Sequence, residues 1–350
     1  MKPLVSILIP AYNAEQTIAY TIQSALAQTW PRREIIVIND GSTDRTLETV
    51  QRFASKEVLV ISSENRGCSA AINLGYRHAQ GDFIQELDSD DLLAPDKIER
   101  QLAALGPDDS KRILLSSPWA SFYYRTRNAK FVCNSLWEDL SPTEWLLRKM
   151  GQNLYMQNAT WLVSRELAEA AGPWDERLYY DNDGEYFARV LLKSEGTRFV
   201  PDTGIYYRAT TLNSVSYIGS SDRKKDALFL SMKLHIQYLL SLEDSLRSRE
   251  ACLNYLRNWY LNFYPERQAI VEELQKIAGE LQGHLEEPSL RWKFAWIRPV
   301  FGWKLAKRMQ MALPIFKSTC IRQFDKALFH FEFSNGGSMV TSPVKAAGRH

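Results

Sequence analysis

Along the first hundred residues, short apolar runs alternate with segments of helical period. Leu4 to Ile9, Glu34 to Ile38, Val58 to Ser62 and Phe83 to Leu87 are β-branched and apolar, and they predict strands. Between them, Ile18, Ile22 and Leu26 form one helical stripe, for which Asn13 is a candidate cap with Gln16 three residues on. Leu47, Val50 and Phe53 form a second, with Ser42 or Thr43 as the cap, and a third helix is expected from Ser69 to about His78, with Ile72, Leu74 and Tyr76 available for packing. Strand, helix, strand repeated in this order predicts an α/β fold, a parallel sheet with helices on its faces.

Further along, Pro118 to Asn153 has a mixed pattern that assigns no element. Gln157 to Val163 reads as a strand, Arg165 to Ala171 as a helix, Gly172-Pro173 as a break, and Gly184 to Ser194 as a helix. Residues 222 to 283 are mostly helical, with Leu228, Met232, Leu239 and Leu242 as an apolar stripe. The stretch from Ser334 to His350 is small and polar, and disorder is expected there.

A parallel sheet binds ligands beyond the carboxyl ends of its strands. The polar clusters Ala11-Tyr12-Asn13, Asn39-Asp40-Gly41-Ser42, Glu64-Asn65-Arg66-Gly67 and Asp88-Ser89-Asp90-Asp91 each follow a strand, so all should share one rim. Asp88, Asp90 and Asp91 crowd their carboxylates together, which repel unless a hard cation such as Mg²⁺ or Mn²⁺ sits among them. The alternative is helix capping, since Pro95 opens a helix soon afterwards. Asp40 is either a turn residue or a hydrogen-bond acceptor for a base or ribose. Tyr12 and Arg66 together offer a stacking face and a cation to a nucleotide. No G-x-G-x-x-G follows the first strand and no P-loop occurs, which argues against dinucleotide and P-loop sites.

Composition narrows the classes. At 350 residues, one catalytic unit with a C-terminal extension is expected, and 45% hydrophobic with 24% charged residues is ordinary for a globular chain. A formal charge of +2 gives no pull towards nucleic acid. Cys68, Cys133, Cys252 and Cys320 have neither zinc nor disulfide spacing, and a reducing cytoplasm fits. The N-terminal apolar run is too short for a signal peptide, and no stretch approaches the ~18 apolar residues of a spanning helix. Residues 289 to 317 hold Arg291, Lys293, Arg298, Lys304, Lys307, Arg308 and Lys317 with Trp292, Trp296 and Trp303. This suggests peripheral contact with an anionic membrane, on its inner face, against the alternative of an ordinary packed helix pair.

The motifs carry a family resemblance. Ile9-Pro10-Ala11-Tyr12-Asn13, Asn39-Asp40-Gly41-Ser42-Thr43-Asp44, Asn65-Arg66-Gly67 with Asn73, and Leu87-Asp88-Ser89-Asp90-Asp91 occur in the order seen in family 2 glycosyltransferases. The likeness continues through Gly172-Pro173-Trp174-Asp175-Glu176 and Asp181-Asn182-Asp183-Gly184-Glu185, covering roughly residues 3 to 216. It implies the GT-A fold over residues 1–220, with a donor half at 1–117, an acceptor half at 118–220, a helical extension at 221–333 and a tail at 334–350. It implies that Pro10, Ala11, Tyr12, Asn13, Asp40, Arg66, Gly67, Asp88 and Ser89 bind a nucleotide sugar, a UDP-sugar being favoured. Asp90 would bind a divalent metal, Mg²⁺ or Mn²⁺. Asp183 would be the base for transfer with inversion to a sugar, lipid-linked or protein acceptor, in cell-surface polysaccharide or glycoconjugate synthesis.

The chain departs from the family pattern where Asn182 replaces the first acid of a Glu-Asp pair, which makes Asp181 a rival base. It also has no histidine between Arg208 and Ser216, where many relatives complete the metal shell, and no Q-x-x-R-W, so transfer of single residues is expected. Two other functions compete. A sugar-phosphate nucleotidyltransferase should have a Gly-rich loop and lysine where Pro10 to Asn13 stand, and a non-catalytic nucleotide-sugar-binding protein would not need Asp88, Asp90 and Asp183 together.

Overall fold

The computed structural model describes residues 2–334 except 107–108, 132, 210–217, 220, 289, 291–293 and 295–296. The strands in chain order are β1 (Val5–Ala11), β2 (Arg33–Asp40), β3 (Val58–Ser63), β4 (Phe83–Glu86), β5 (Leu92–Leu93), β6 (Ile113–Ser116), β7 (Trp119–Phe122), β8 (Lys130–Phe131), β9 (Val163–Ser164), β10 (Gly196–Phe199) and β11 (Ile205–Arg208). The main sheet has the order β3-β2-β1-β4-β9, its first four strands parallel and β9 antiparallel at the edge. A second sheet has the order β5-β11-β7-β8, and β10 pairs with β6.

β1 and β2 read as continuous apolar runs because both faces of the sheet are covered there, whereas β3, at the edge, leaves Leu59 exposed. Alternate side chains divide between the faces. Ile7, Ile9, Ile35 and Val37 pack with Ile18 and Ile22 of α1 (Ile18–Leu26) and Val50 of α2 (Thr46–Gln51). Leu8, Ile36 and Ile38 face the other way, onto Ala71 and Ile72 of α3 (Cys68–His78).

The two expected caps are not where the sequence pattern put them. α1 starts only at Ile18, and Asn13, at φ +50, sends its Oδ1 to the Thr43 N–H (2.8 Å) instead. α2 is preceded by Asp44, whose Oδ1 accepts from the Thr46 N–H at 2.9 Å, so neither Ser42 nor Thr43 caps it. In both cases the rim loops find donors in one another, and these cross-braces outcompete a local cap.

Beyond the donor strands lie α4 (Lys97–Ala103), α5 (Pro142–Gln152), α6 (Arg165–Ala171) and α7 (Asn182–Lys193). α5 has a Ser141 cap on the Glu144 N–H, Pro142 in its first turn, and Asn153 left-handed at its end. The strand expected from Gln157 to Val163 is instead a 3₁₀ turn at Asn158–Thr160 leading to the short β9. Gln157 is the cause: its Oε1 accepts from Ala159 N–H at 2.6 Å and its Nε2 donates to Asp91 Oδ2 at 2.6 Å, which draws the chain off the sheet.

The C-terminal segment is helical, as expected: α8 (Asp222–Leu242), α9 (Leu246–Tyr260), α10 (Gln268–Glu280) and α11 (Ile297–Ser334), the last interrupted at Gly302, φ +79. Leu228, Met232 and Leu239 of α8 are buried, whereas Leu242 stands at the exposed end of the stripe. One continuous cluster runs from Leu8 and Ile38 through Trp145, Trp161 and Phe187 to Cys252, Leu256 and Leu274. α8 to α10 are therefore packed on the same core as α3 and α7. Among the described residues no helix is long and apolar enough to cross a membrane. The tail expected to be disordered lies, from residue 335 onwards, outside the described residues.

Candidate active site

The carboxyl ends of β1, β2 and β4 open onto a cavity of about 1690 Å³. Pro10, Ala11, Tyr12 and Asn13 line it after β1, Asp40 after β2, Arg66 and Gly67 before α3, and Asp88, Ser89 and Asp90 after β4; Asp183 lines it from α7. The geometry thus brings every candidate residue to one space.

Asp40 ties two of the rim loops together. Its Oδ1 accepts from the Arg66 N–H and its Oδ2 from the Gly67 N–H, both at 2.8 Å. Hydrogen bonds to a charged acceptor contribute about 1.5–3 kcal/mol each, enough to fix the loop before α3 against the end of β2. Gly41 has φ +66, and a Cβ there would stand 2.6 Å from the Asn65 nitrogen, so the two loops meet at a position only glycine fits. The Tyr12 ring is 49% exposed and offers an open stacking face. The Arg66 guanidinium is exposed and donates to Glu176 Oε2 at 2.9 Å. Asn73 and the Trp174 backbone exchange two hydrogen bonds of 2.9 Å, which tie α3 to the Gly172–Glu176 segment.

The acidic cluster after β4 is not uniform. Asp91 is fully buried, accepting from Gln157 Nε2 at 2.6 Å and from the Arg208 N–H at 2.7 Å, so it is a structural anchor. Asp88 accepts from Asn158 Nδ2 at 3.0 Å. Burial and then the charge of Asp90 push its carboxyl up to about 6. Burial also raises Asp90, while the Arg208 guanidinium pulls it back.

Arg208 is 6% exposed and lies over the Phe122 ring; its Nε donates to the Asp90 carbonyl at 2.8 Å, while Nη2 is buried with no hydrogen-bond partner among the described residues. The segment that follows it, where relatives place a histidine, lies largely outside the described residues. Among the described residues no group of three or more His, Cys, Asp or Glu could hold a metal ion by protein ligands alone. The arrangement fits Mg²⁺ or Mn²⁺ none the less, because such ions are commonly held by one or two carboxylates with substrate phosphates and water. Crowded, raised carboxyls are the electrostatic imbalance that a cation relieves.

On the acceptor side, Asp183 sits in the first turn of α7. Burial, then Asp181, then Asp88 push its carboxyl up to about 7, with Lys149 opposing. Asp183 has no side-chain donor among the described residues, whereas Asp181 accepts from Ser231 Oγ at 2.6 Å. Lys149 of α5 is 6% exposed, lines the cavity and lies over the Tyr255 ring. α11 reaches the same cavity with Arg322, Lys326 and Phe329, anchored by Asp325 on the Tyr124 N–H and on Arg125.

Sequence patterns missed Lys149, Gln157, Asn158, Arg208, Ser231 and the α11 residues, since each reaches the site by long-range packing and none sits in a motif. Of the basic segment, Arg291, Trp292, Lys293 and Trp296 lie outside the described residues. Trp303 instead donates to Glu287 Oε1 at 2.7 Å and Lys307 pairs with Glu266 at 2.7 Å, the packed arrangement for those two.

Residues 6–168 match the family model for glycosyl transferase family 2. That match, over a little under half of the chain, supports membership of that family. The chain is 33% identical over 193 residues to an uncharacterized glycosyltransferase of Rickettsia typhi, covering 55% of this chain and 60% of that one. The chain therefore spans about 60% of the length of that relative. Its fold, GT-A in type, is shared with S. aureus TarS solved in complex with UDP-GlcNAc, at a TM-score of 0.61 and 19% identity over 79% of this chain and 80% of that one. It is shared also with a mannosyltransferase of Pyrobaculum calidifontis in complex with GDP-Man and Mn²⁺, at a TM-score of 0.52 and 18% identity over 90% and 88%.

Proposed function

We propose that the protein transfers a sugar from a nucleoside-diphosphate sugar to an acceptor hydroxyl, with inversion, in a reaction that depends on a divalent cation. The observation that carries this reading is a single cavity of about 1690 Å³ with the Asp40, Asp88 and Asp90 rim on one wall and Asp183 on another. Pockets for one small ligand measure roughly 300–1,000 Å³, so the space suits two substrates together. The nucleotide sugars in TarS and in the archaeal mannosyltransferase support a donor of this class.

In this reading Tyr12 stacks on the base and Asp40 shapes the loop around it, while Asp88 faces the ribose. Pro10, Ala11, Asn13, Gly67 and Ser89 line the nucleotide. A bound cation on Asp90 supplies neutralisation of the charge on the departing diphosphate. Asp183 takes the proton of the acceptor hydroxyl as its oxygen bonds to the anomeric carbon and the carbon–phosphate oxygen bond breaks. Burial that raises its carboxyl to about 7 gives it the basicity this step needs near neutral pH. We also propose residues 1–117 as donor half, 118–220 as acceptor half and 221–333 as extension.

The test is incubation with Mn²⁺ and a panel of nucleotide sugars, followed by nucleoside diphosphate release and thermal shift. Release from at least one donor, lost in chelator, is expected. No release and no shift with any donor would sink the reading.

A further inference from the structure

Resting on Asp183 as the base, we propose that Ser231 and His235 of α8 are positioning residues that clamp the first turn of α7 and so set where Asp183 stands. The argument begins with Asp181, the residue before α7. Its φ is +54, a left-handed conformation uncommon outside glycine. An aspartate at that place would ordinarily cap the helix, yet its side chain caps nothing. The carboxylate turns to α8 and accepts from Ser231 Oγ at 2.6 Å. A Cβ at Gly184 would collide with the turned carboxylate, so the glycine is a condition of this arrangement.

The second hold is on the other side of Asp183. His235 Nε2 lies 3.1 Å from the Gly184 carbonyl oxygen and Nδ1 lies 2.9 Å from that of Ser231. Ser231 and His235 are one helical turn apart on one face of α8, and both are fully buried. Ser231 grips residue 181, and His235 with its proton on Nε2 grips residue 184; the two bracket Asp183. A helix N-terminus with only hydrogen bonds to water would let the first turn fray; here two side chains from a helix about fifty residues downstream hold it. Since α8 lies beyond residue 168, where the family match ends, the base of this chain is set by a part of the molecule that the family motifs do not include.

The full chain is assayed with Mn²⁺ and the nucleotide sugar that best supports nucleoside diphosphate release. Ser231→Ala and His235→Ala are expected to lower kcat roughly ten- to a hundredfold, the scale of a displacement of about 1 Å, with donor Kd within about twofold. Ser231→Thr, which keeps the hydroxyl, should restore most of the rate. Amide exchange over residues 182–186 needs no substrate and should quicken in Ser231→Ala. Should Ser231→Ala not fold, His235→Gln, whose amide can still donate to the Gly184 carbonyl, should turn over faster than His235→Ala.

Wild-type turnover in Ser231→Ala and His235→Ala, parallel loss of kcat and donor affinity, failure of Ser231→Thr to restore the rate, or unchanged exchange would each overturn the clamp. Asp183→Asn separates the two ideas. If it alone keeps full turnover, the base assignment fails whatever Ser231 does; if it is slow while Ser231→Ala and His235→Ala are fast, only the clamp fails.

Discussion

The two walls of the cavity are built in different ways. The wall we assign to the donor is made at the ends of neighbouring strands in one sheet, and its braces, Asn13 to Thr43 and Asp40 to Arg66 and Gly67, span 26 to 30 residues. The wall we assign to the acceptor carries Asp183 on α7, Lys149 on α5 and Arg322 on α11, with Ser231 of α8 holding Asp181 behind it, all brought together only by helix packing. A wall at strand ends inherits its shape from the backbone register, so short motifs suffice to specify it. One made by packed helices needs contacts from distant parts of the chain.

The comparison breaks most sharply at Asp90. If the donor wall works as a diphosphate site, Asp90→Ala and excess EDTA should each abolish nucleoside diphosphate release, Mn²⁺ restoring only the chelated wild type. Full turnover in chelator would show that the acidic cluster after β4 serves structure alone. The acceptor wall should respond differently. Asp183→Asn should lower kcat by roughly a hundred- to ten-thousandfold, the usual worth of general-base catalysis, and leave donor affinity measured by calorimetry within about twofold. Equal loss of both would mean that the walls are not separable.

A smaller effect tests the bracing of the donor wall. Gly41→Ala forces a Cβ against the Asn65 backbone at φ +66, and backbone strain of this kind costs on the order of 1–3 kcal/mol. We expect a lower melting temperature in the free protein and weaker donor binding. An unchanged melting temperature would remove Gly41 from the account.

The same difference explains what was legible in the sequence. β1 to β4 and α3 are read within a residue or two, because a two-faced core makes apolar runs and a regular helical stripe. The rim residues are legible because they follow those strands. Asn13 was misread as a cap since its acceptor finds Thr43, thirty residues on. Gln157 to Val163 has strand composition, but the Gln157 side chain commits itself to Asp91 and Ala159. Arg208 and Lys149 could not be found, as nothing in their local sequence says that they face the cavity, nor does anything local say that Ser231 and His235 pack against the start of α7. Asp183 and Asp181 were both visible as acids. Their surroundings differ: Asp181 accepts from Ser231 Oγ, whereas burial raises the Asp183 carboxyl to about 7.

The smallest expected effect concerns the charges around Asp183, and it sharpens the comparison by asking whether the acceptor wall tunes its base. Burial raises Asp183 first, to about 7 with the charges of Asp181 and Asp88, and Lys149 works against them. Glu86, Cys68, Tyr155 and Tyr180 also feel the Asp183 charge. A base acts in its ionised form, so kcat should rise with pH as Asp183 loses its proton, on a limb near 7 that a cation on Asp90 would draw lower. Asp181→Asn removes a negative neighbour while leaving an oxygen for Ser231 Oγ–H. With less repulsion the carboxylate forms more easily, and the limb should move to lower pH. Lys149→Met removes a positive neighbour at similar volume, so the limb should move to higher pH. The pair of variants should therefore displace the profile in opposite directions, measured as kcat against pH at saturating donor and Mn²⁺. Shifts in the same direction, or none in either, would mean that Asp183 is not the group whose ionisation limits turnover, and Asp181 would have to be tested as the base.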